Sequence, residues 1–127
     1  LPKEEEKVIL FEDRQSGLIG EIIFYRTMKL PYYAVIFTNT QTENLEGYGQ
    51  MADAMEASAK QQPGYLGMEH ARNEIGITIS YWESLEAISN WKANLDHQVA
   101  QRLGKEQWYK SYTVRICKVE REYSFEK

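Results

Sequence analysis

The architecture of this chain is clearest in residues 63–91, which read PGYLGMEHARNEIGITISYWESLEAISNW. The Pro-Gly pair at the start is a turn that ends a preceding helix. Residues 66–72 and 75–82 are short apolar runs separated by two turn-forming residues, and we interpret them as two strands joined by a tight connection. Ser84 follows at the position of a helix N-cap. The segment therefore predicts a helix end, two adjacent strands and a helix start.

The second of these strands alternates between two faces. One face carries Ile75, Ile77, Ile79 and Tyr81, and the opposite face carries Trp82. In a two-layer fold one face packs on helices and the other meets a second sheet. We expect the face of Trp82 to be the one that meets the other sheet, so that Trp82 is an interface residue.

Upstream of this segment, residues 32–40 form a β-branched and aromatic run, YYAVIFTNT, that predicts another strand. Both of its faces are apolar, so this strand needs cover on two sides. A helical repeat follows, with apolar or small residues at Leu45, Tyr48, Ala52, Met55 and Ala59. One layer of helices would cover the first face, and a second subunit is the expected cover for the other.

Downstream, a second helix has apolar residues along one side at Leu85, Ile88, Trp91 and Leu95. A further helical segment can begin at Asp96 and is stopped by Gly104. The aromatic residues Trp108, Tyr109 and Tyr112 then read as packing that fixes the entry of a last strand.

The last strand, residues 111–123, switches its apolar phase near Ile116 and Cys117. Either a bulge at this point or a change of packing environment explains the switch. In the second case the far end of the strand would lie on a partner subunit.

Residues 32–127 thus predict the order β-α-β-β-α-β, a ferredoxin-like α+β domain whose antiparallel sheet carries helices on one face. We expect the other sheet face to pair with a second copy of the chain, giving a homodimeric α/β barrel. Residues 1–31 form an N-terminal appendage in which two apolar runs flank a polar turn, as in a β-hairpin. Pro31 marks the seam between the two parts.

Composition narrows the classes of function. The formal net charge of −4 gives no basic footprint for nucleic acid. No apolar run approaches the ~18 residues that span a bilayer, and the first residues lack the basic and apolar regions of a signal peptide. We therefore expect a cytoplasmic protein with neither a nucleic-acid nor a membrane partner. One cysteine and two histidines also argue against a dedicated metal site.

Several short motifs carry a family resemblance: PGYLG at 63–67, ITISYWES at 77–84, AI at 87–88, WK at 91–92, His97, Gly104, WY at 108–109 and Tyr112. Together they resemble the antibiotic biosynthesis monooxygenase (ABM) domain family of dimeric α/β barrels, which includes haem-degrading monooxygenases. The resemblance covers about residues 32–125. It implies a cofactor-light monooxygenase with a planar hydrophobic substrate, a polyphenol or a haem, in a pocket between helices and sheet. The substrate would then supply the electrons or the metal that activate dioxygen.

The same resemblance implies three catalytic residues. Asn39 matches an Asn at the end of the family's first strand, and Trp91 matches a Trp on the second helix. His97 is the nearest match to a His that ligates haem iron, although it follows Trp91 by only six positions, closer than in the haem-degrading branch. His97 would bind haem or act as an acid-base group, because an unperturbed imidazole pKa near 6.5 allows both states.

Each of these residues also has a structural interpretation. Asn39 fits the end of a strand that enters a turn, and Trp91 shares a helical face with Ile88 and Leu95, which is typical of a core residue. His97 lies at the start of a helical segment, where a His is commonly exposed or helps to cap the helix. The alternative function is therefore a non-catalytic dimeric barrel that binds a small hydrophobic molecule or serves as a structural or interaction module.

Overall fold

The computed structural model describes residues 6–13, 18–25 and 29–127. The elements in chain order are β1 (Glu6–Asp13), β2 (Leu18–Tyr25), β3 (Tyr32–Gln41), α1 (Tyr48–Lys60), β4 (Tyr65–Arg72), β5 (Gly76–Trp82), α2 (Leu85–Ala93), α3 (Leu95–Leu103), a π-helical turn (Gly104–Trp108) and β6 (Tyr109–Val119).

Four strands form one antiparallel sheet in the order β4-β5-β3-β6. The helices α1 and α2 pack on one face of this sheet, and α3 contacts both of them. The predicted ferredoxin-like α+β class and the order β-α-β-β-α-β are confirmed. Strands β1 and β2 pair antiparallel with each other in a separate two-stranded sheet. The division into an appendage at residues 1–31 and a domain at 32–127 stays a prediction.

Local contacts fix the turn from β5 into α2. The Ala87 N–H donates a hydrogen bond to Ser84 Oγ at 3.0 Å, which confirms the predicted N-cap. The Glu83 N–H donates to the Gly64 carbonyl at 2.8 Å. Gly64 has a φ of +85°, and a Cβ at this position would lie only 2.6 Å from the Cβ of Ala87. Glycine is therefore required where the turn after α1 meets the start of α2.

Trp82 lies at the centre of the core between the sheet and the helices. Its side chain is fully buried, and its ring stacks on Trp91 with the ring centroids 6.1 Å apart. The indole Nε1–H donates to Ser80 Oγ at 2.9 Å, and Ala59 and Ile88 complete the packing around the ring. The expectation that Trp82 faces another sheet is wrong, because this indole fills the space between the sheet and the helices of its own subunit.

The isoleucine face of β5 is the face without helices. At one end Ile77 exposes 40% of its surface. Further along this face Tyr32 and Tyr81 are buried, with ring centroids 5.8 Å apart. The Tyr32 hydroxyl donates to Glu122 Oε2 at 2.5 Å, and the Tyr81 hydroxyl donates to Glu69 Oε1 at 2.7 Å. This open face thus has buried tyrosines with polar contacts at one end and exposed apolar surface at the other.

Two details of the strands differ from the sequence prediction. The connection between β4 and β5 has three residues instead of two, so Ile75 belongs to the connection and exposes 57% of its surface. The pairing of β6 with β3 is continuous through Ile116 and Cys117, so the bulge considered there is not present. The register shift lies instead where Gln41 pairs with Tyr109. A change of packing environment is the remaining explanation for the phase switch.

Replacing Trp82 with alanine should lower the free energy of unfolding by about 3–5 kcal/mol, because it removes a fully buried indole from the core. Urea denaturation measures this loss. The matched control is Leu85→Ala on the exposed side of α2, where we expect a change within about 0.5 kcal/mol. Equal, small losses in both variants would contradict the central position of Trp82.

Candidate functional site

One row of residues crosses all four strands on the helix side of the sheet. Arg72 of β4 lies opposite Gly76 of β5, Gly76 lies opposite Asn39 of β3, and Asn39 lies opposite Tyr112 of β6. Directly paired residues of antiparallel strands project from the same face. The row therefore gathers a cation, an amide and a phenol at one end of the sheet, although they are far apart in sequence.

Gly76 allows Arg72 and Asn39 to meet. A Cβ at Gly76 would overlap the guanidinium of Arg72, which crosses the glycine toward β3. Arg72 Nη2 donates a hydrogen bond to Asn39 Oδ1. Asn39 exposes only 3% of its surface, so this bond gives a buried amide oxygen the partner that it needs. Among the described residues no acceptor pairs with the Asn39 amide Nδ2–H groups, which remain able to donate.

Four aromatic rings, which we call the tyrosine cluster, surround this pair: Phe37, Tyr48, Tyr109 and Tyr112. The Phe37 ring centroid lies 5.3 Å from that of Tyr109 and 5.5 Å from that of Tyr112. The Tyr109 ring centroid lies 6.0 Å from those of both Tyr48 and Tyr112. The guanidinium carbon of Arg72 lies 6.0 Å from the Tyr48 ring centroid, within the range of a cation–π contact.

The register shift at the start of β6 builds this cluster. Tyr109 pairs with Gln41 and Tyr112 pairs with Asn39, so both tyrosines face the helices although three positions separate them. In a regular strand residues three apart point to opposite faces. An irregularity of this kind commonly redirects side chains beside a functional site.

Burial raises the pKa of the Tyr109 hydroxyl above its usual value. A hydrogen bond with Tyr48 adds to this effect, and the charge of Arg72 opposes it. The hydroxyl is therefore protonated at neutral pH and can take part in hydrogen bonds as a neutral group.

A cavity of about 470 Å³ adjoins the tyrosine cluster. It is lined by Lys105, Tyr109, Lys110, Ser111 and Tyr112. Its volume lies within the range of roughly 300–1,000 Å³ that is typical of pockets for small molecules. This part of the molecule thus combines space, aromatic surface and positive charge.

Trp91 and His97 form a second region. Their rings meet edge to face with centroids 4.9 Å apart, and Trp91 is buried in the core beside Trp82. His97 Nδ1 is buried and has no hydrogen-bond partner among the described residues. Burial lowers the pKa of His97 below its usual value, and the charge of Lys92 lowers it further. The imidazole is therefore neutral at neutral pH.

A smaller cavity of about 260 Å³ lies between α1 and α3, lined by Met51, Ala54, Met55 and Val99. It is apolar and is below the roughly 300 Å³ at which small-molecule pockets begin. Neither this cavity nor the larger one is lined by Trp91 or His97. The Met51 and Met55 side chains thus border an apolar gap between two helices.

The three residues that the resemblance implies do not form one cluster. Trp82, on which Trp91 stacks, lies opposite Tyr33 of β3, six residues from Asn39. At about 3.3 Å per residue this spacing is about 20 Å along the strand. The structure brings Trp91 and His97 together, and it places Asn39 at the other end of β3.

Arg72 and Tyr48 were not predicted as site residues, and Tyr109 and Tyr112 were predicted only to pack at the entry of the last strand. For Arg72 there is one local signal: the short connection between β4 and β5 makes Arg72 pair with Gly76. No local signal places these residues beside Asn39, because that pairing joins strands distant in sequence.

Two further features are absent from the described residues. No group of three or more His, Cys, Asp and Glu side chains is placed to hold a metal ion within the ranges that the structure covers. None of the helices described above is long and apolar enough to cross a membrane.

Comparisons with known proteins agree with this fold. The sequence profile of the antibiotic biosynthesis monooxygenase family matches residues 31–103. The uncharacterized protein YqjZ of Bacillus subtilis is 46% identical over 103 residues, which are 80% of this chain and 90% of that protein. The structure of Rv0793 from Mycobacterium tuberculosis has a TM-score of 0.65 and 13% identity, covering 73% of this chain and 99% of that one. PA3566 from Pseudomonas aeruginosa has a TM-score of 0.59 and 19% identity, covering 76% and 99%.

We expect His97 to make stability depend on pH. Because its pKa is lower in the folded protein, the unfolded chain binds a proton near pH 6.5 that the folded chain does not yet bind. Stability is therefore full above this pH and falls as the pH drops through 6.5 toward the folded pKa. Thermal unfolding midpoints between pH 8 and 5 should fall less steeply for His97→Gln than for the wild type.

The control for this prediction is His70→Gln, since His70 is exposed on β4 and should leave the slope unchanged. A wild-type slope in His97→Gln would mean that another group accounts for the acid sensitivity.

Proposed function

Because this chain belongs to the antibiotic biosynthesis monooxygenase family, we propose that it is an oxidoreductase that inserts oxygen into a planar hydrophobic substrate, a polyphenol, bound beside the tyrosine cluster. One observation carries this proposal. Asn39 is a buried amide held by Arg72, and it lies opposite Tyr112, which lines a cavity large enough for a small molecule. A polar side chain fixed in an aromatic surface next to such space is typical of a binding site.

The reaction that we propose needs no external reductant. A phenol with a free para carbon, such as 1-naphthol, reacts with one dioxygen to give 1,4-naphthoquinone and water. One oxygen atom becomes the new carbonyl, and the other leaves as water with the phenolic hydrogen and the para hydrogen. The substrate supplies all four electrons, so the protein has to bind and orient it and to stabilise developing charge.

Asn39 is the residue that we place at the reacting oxygen. Its Oδ1 accepts from Arg72, which orients the amide and leaves the Nδ2–H groups to donate to the substrate or to a peroxide formed on it. Tyr109 and Tyr112 offer ring faces and hydroxyls to a planar molecule. Both tyrosines already line the cavity, and Tyr112 lies opposite Asn39 in the sheet.

The haem version of the proposal places a haem substrate at His97 and Trp91. A neutral imidazole with an unpartnered nitrogen fits an iron ligand chemically. That nitrogen is buried, however, and the nearby helices enclose only about 260 Å³. Haem binding would therefore require α3 to move, and the polyphenol version requires less change. Titration with haemin, read by absorbance, tests the haem version directly.

The alternative, a non-catalytic barrel that binds a small hydrophobic molecule or serves as an interaction module, is supported by the core. Trp82 and Trp91 fill the space between helices and sheet, where the resemblance places a substrate pocket. A protein of this kind would bind aromatic ligands without consuming oxygen.

We further propose that the functional unit is a homodimer formed through the open sheet face. Ile75 and Ile77 are exposed on or beside this face, and the segment after β6 exposes 87% of both Tyr123 and Phe125. Exposed apolar side chains such as these can be buried in an interface with a second copy. The monomer would leave these side chains in water.

Replacing Asn39 with alanine should slow oxygen uptake with 1-naphthol roughly 100-fold, the usual effect of losing one donor to a developing oxyanion. An oxygen electrode and quinone absorbance measure the rate. The control is Asn90→Ala on the exposed face of α2, which should retain the wild-type rate. Aromatic ligand binding without oxygen uptake in the wild type would favour the non-catalytic alternative.

Replacing Ile77 with lysine should convert the dimer to a monomer, because it puts a charge into the proposed apolar interface. Light scattering after size exclusion measures the mass. The same substitution at Leu85, a more exposed apolar residue on α2, should leave the mass at twice that of the chain. Monomeric wild-type protein at micromolar concentration would refute the dimer.

A further inference from the structure

Arg72 is held in the site without a negative partner. Its guanidinium lies over Gly76, bonds to the neutral amide of Asn39 and faces the ring of Tyr48. No carboxylate pairs with it among the residues that the structure describes. The side chain of Arg72 is exposed to solvent, and the bond to Asn39 uses only one of its five N–H donors. The arrangement therefore leaves a fixed positive charge with donors to spare.

The cavity lined by Tyr109 and Tyr112 is also positive. Lys105 and Lys110 belong to its lining, and no Asp or Glu does. The chain as a whole has 19 acidic and 15 basic residues, so this local excess of positive charge runs against its composition. A cluster of cations in a concave surface concentrates anionic ligands.

The charge of Arg72 reaches the aromatic wall of the cavity. It acts on the hydroxyl of Tyr109, where it opposes the effect of burial. Tyr112, the other aromatic lining residue, lies beside Asn39 in the same row of the sheet. Arg72, the aromatic rings and the two lysines thus belong to one site.

We infer that this site binds a planar aromatic ligand that carries an oxyanion, a carboxylate or a phenolate. The oxyanion bonds to Arg72 and the ring lies against Tyr109 and Tyr112, while Lys105 and Lys110 supply positive charge at the rim. Arginine suits this role because its planar fork can bond to Asn39 and to an oxyanion at once. The inference rests on the proposed function in one respect, since it takes the ligand of this cavity to be the substrate.

A purely structural role for Arg72 explains fewer of these observations than a role in ligand binding does. The guanidinium does satisfy the buried oxygen of Asn39, but this bond leaves most of its N–H donors unused. Gly76 provides the space through which the guanidinium reaches Asn39, so its position is fixed although the side chain is exposed. An anionic ligand would use the donors that remain.

The test compares ligands of the same shape and different charge. Binding of 1-naphthoate and 1-naphthamide is measured by calorimetry at low ionic strength, and binding of 1-naphthol is measured below and above its own pKa. We expect 1-naphthoate to bind at least roughly tenfold more tightly than the amide, or ionised naphthol to bind that much more tightly than neutral naphthol. The first result identifies a carboxylate site and the second a phenolate site.

Variants assign the preference to Arg72. Arg72→Gln should remove the preference for the anion while 1-naphthamide still binds, and Arg72→Lys should retain part of it. Asn39→Asp should also remove it, because the new carboxylate pairs with the guanidinium. The control is Lys60→Gln, which removes a positive charge that is already paired with Glu56 on α1. This variant should bind all ligands like the wild type.

Equal binding of charged and neutral ligands would overturn the inference, and so would an unchanged preference in Arg72→Gln. Neither result depends on turnover. Oxygen uptake with 1-naphthol and no preference for anions would leave the proposed monooxygenase intact and refute the oxyanion site. A preference for anions without oxygen uptake would support the site in a non-catalytic protein.

Discussion

The burial of Trp82 against the helices is the constraint on which the rest of the structure depends. Because side chains alternate along a strand, this one indole fixes the face of every other residue of β5. Gly76 then lies on the helix side and Ile77 on the open side. Asn39 of β3 pairs with Gly76 and therefore lies on the helix side as well. A shift of one residue in the register between β3 and β5 would move that amide to the other face.

Sequence patterns predicted the elements but assigned the faces of β5 the wrong way round. The strands, the helices and the Ser84 cap follow from local periodicity and turn chemistry, which act over a few residues. The choice between an isoleucine face and the face of Trp82 is different, because both are hydrophobic enough to be buried. Volume decides it: the single indole fills the space beneath α2, whereas Ile77 on the other face keeps 40% of its surface exposed.

The candidate site could be predicted only in part for a related reason. Asn39 is recognisable from sequence because an amide ends an otherwise apolar strand. Its partners depend on long-range pairing, which places Arg72 on one side and Tyr112 on the other. The position of Tyr109 depends in addition on the register shift at the start of β6, which no residue type in the sequence predicts. Trp91 and His97 were predicted to share this site, but Trp91 packs on Trp82, which pairs with Tyr33 about 20 Å along β3 from Asn39, and His97 contacts Trp91.

The two faces of the sheet connect the proposed dimer to the proposed site. Arg72 is the last residue of β4, and the connection that follows it carries Ile75 into the open, exposed side. A partner covering that side would restrain the β4–β5 hairpin from behind while leaving the cavity at β6 accessible. Restraining the hairpin would fix the guanidinium over Gly76, and a preorganised cation binds an anion at a lower entropic cost than a mobile one. Dimerisation on one face would therefore strengthen ligand binding on the other, without any residue of the partner entering the site.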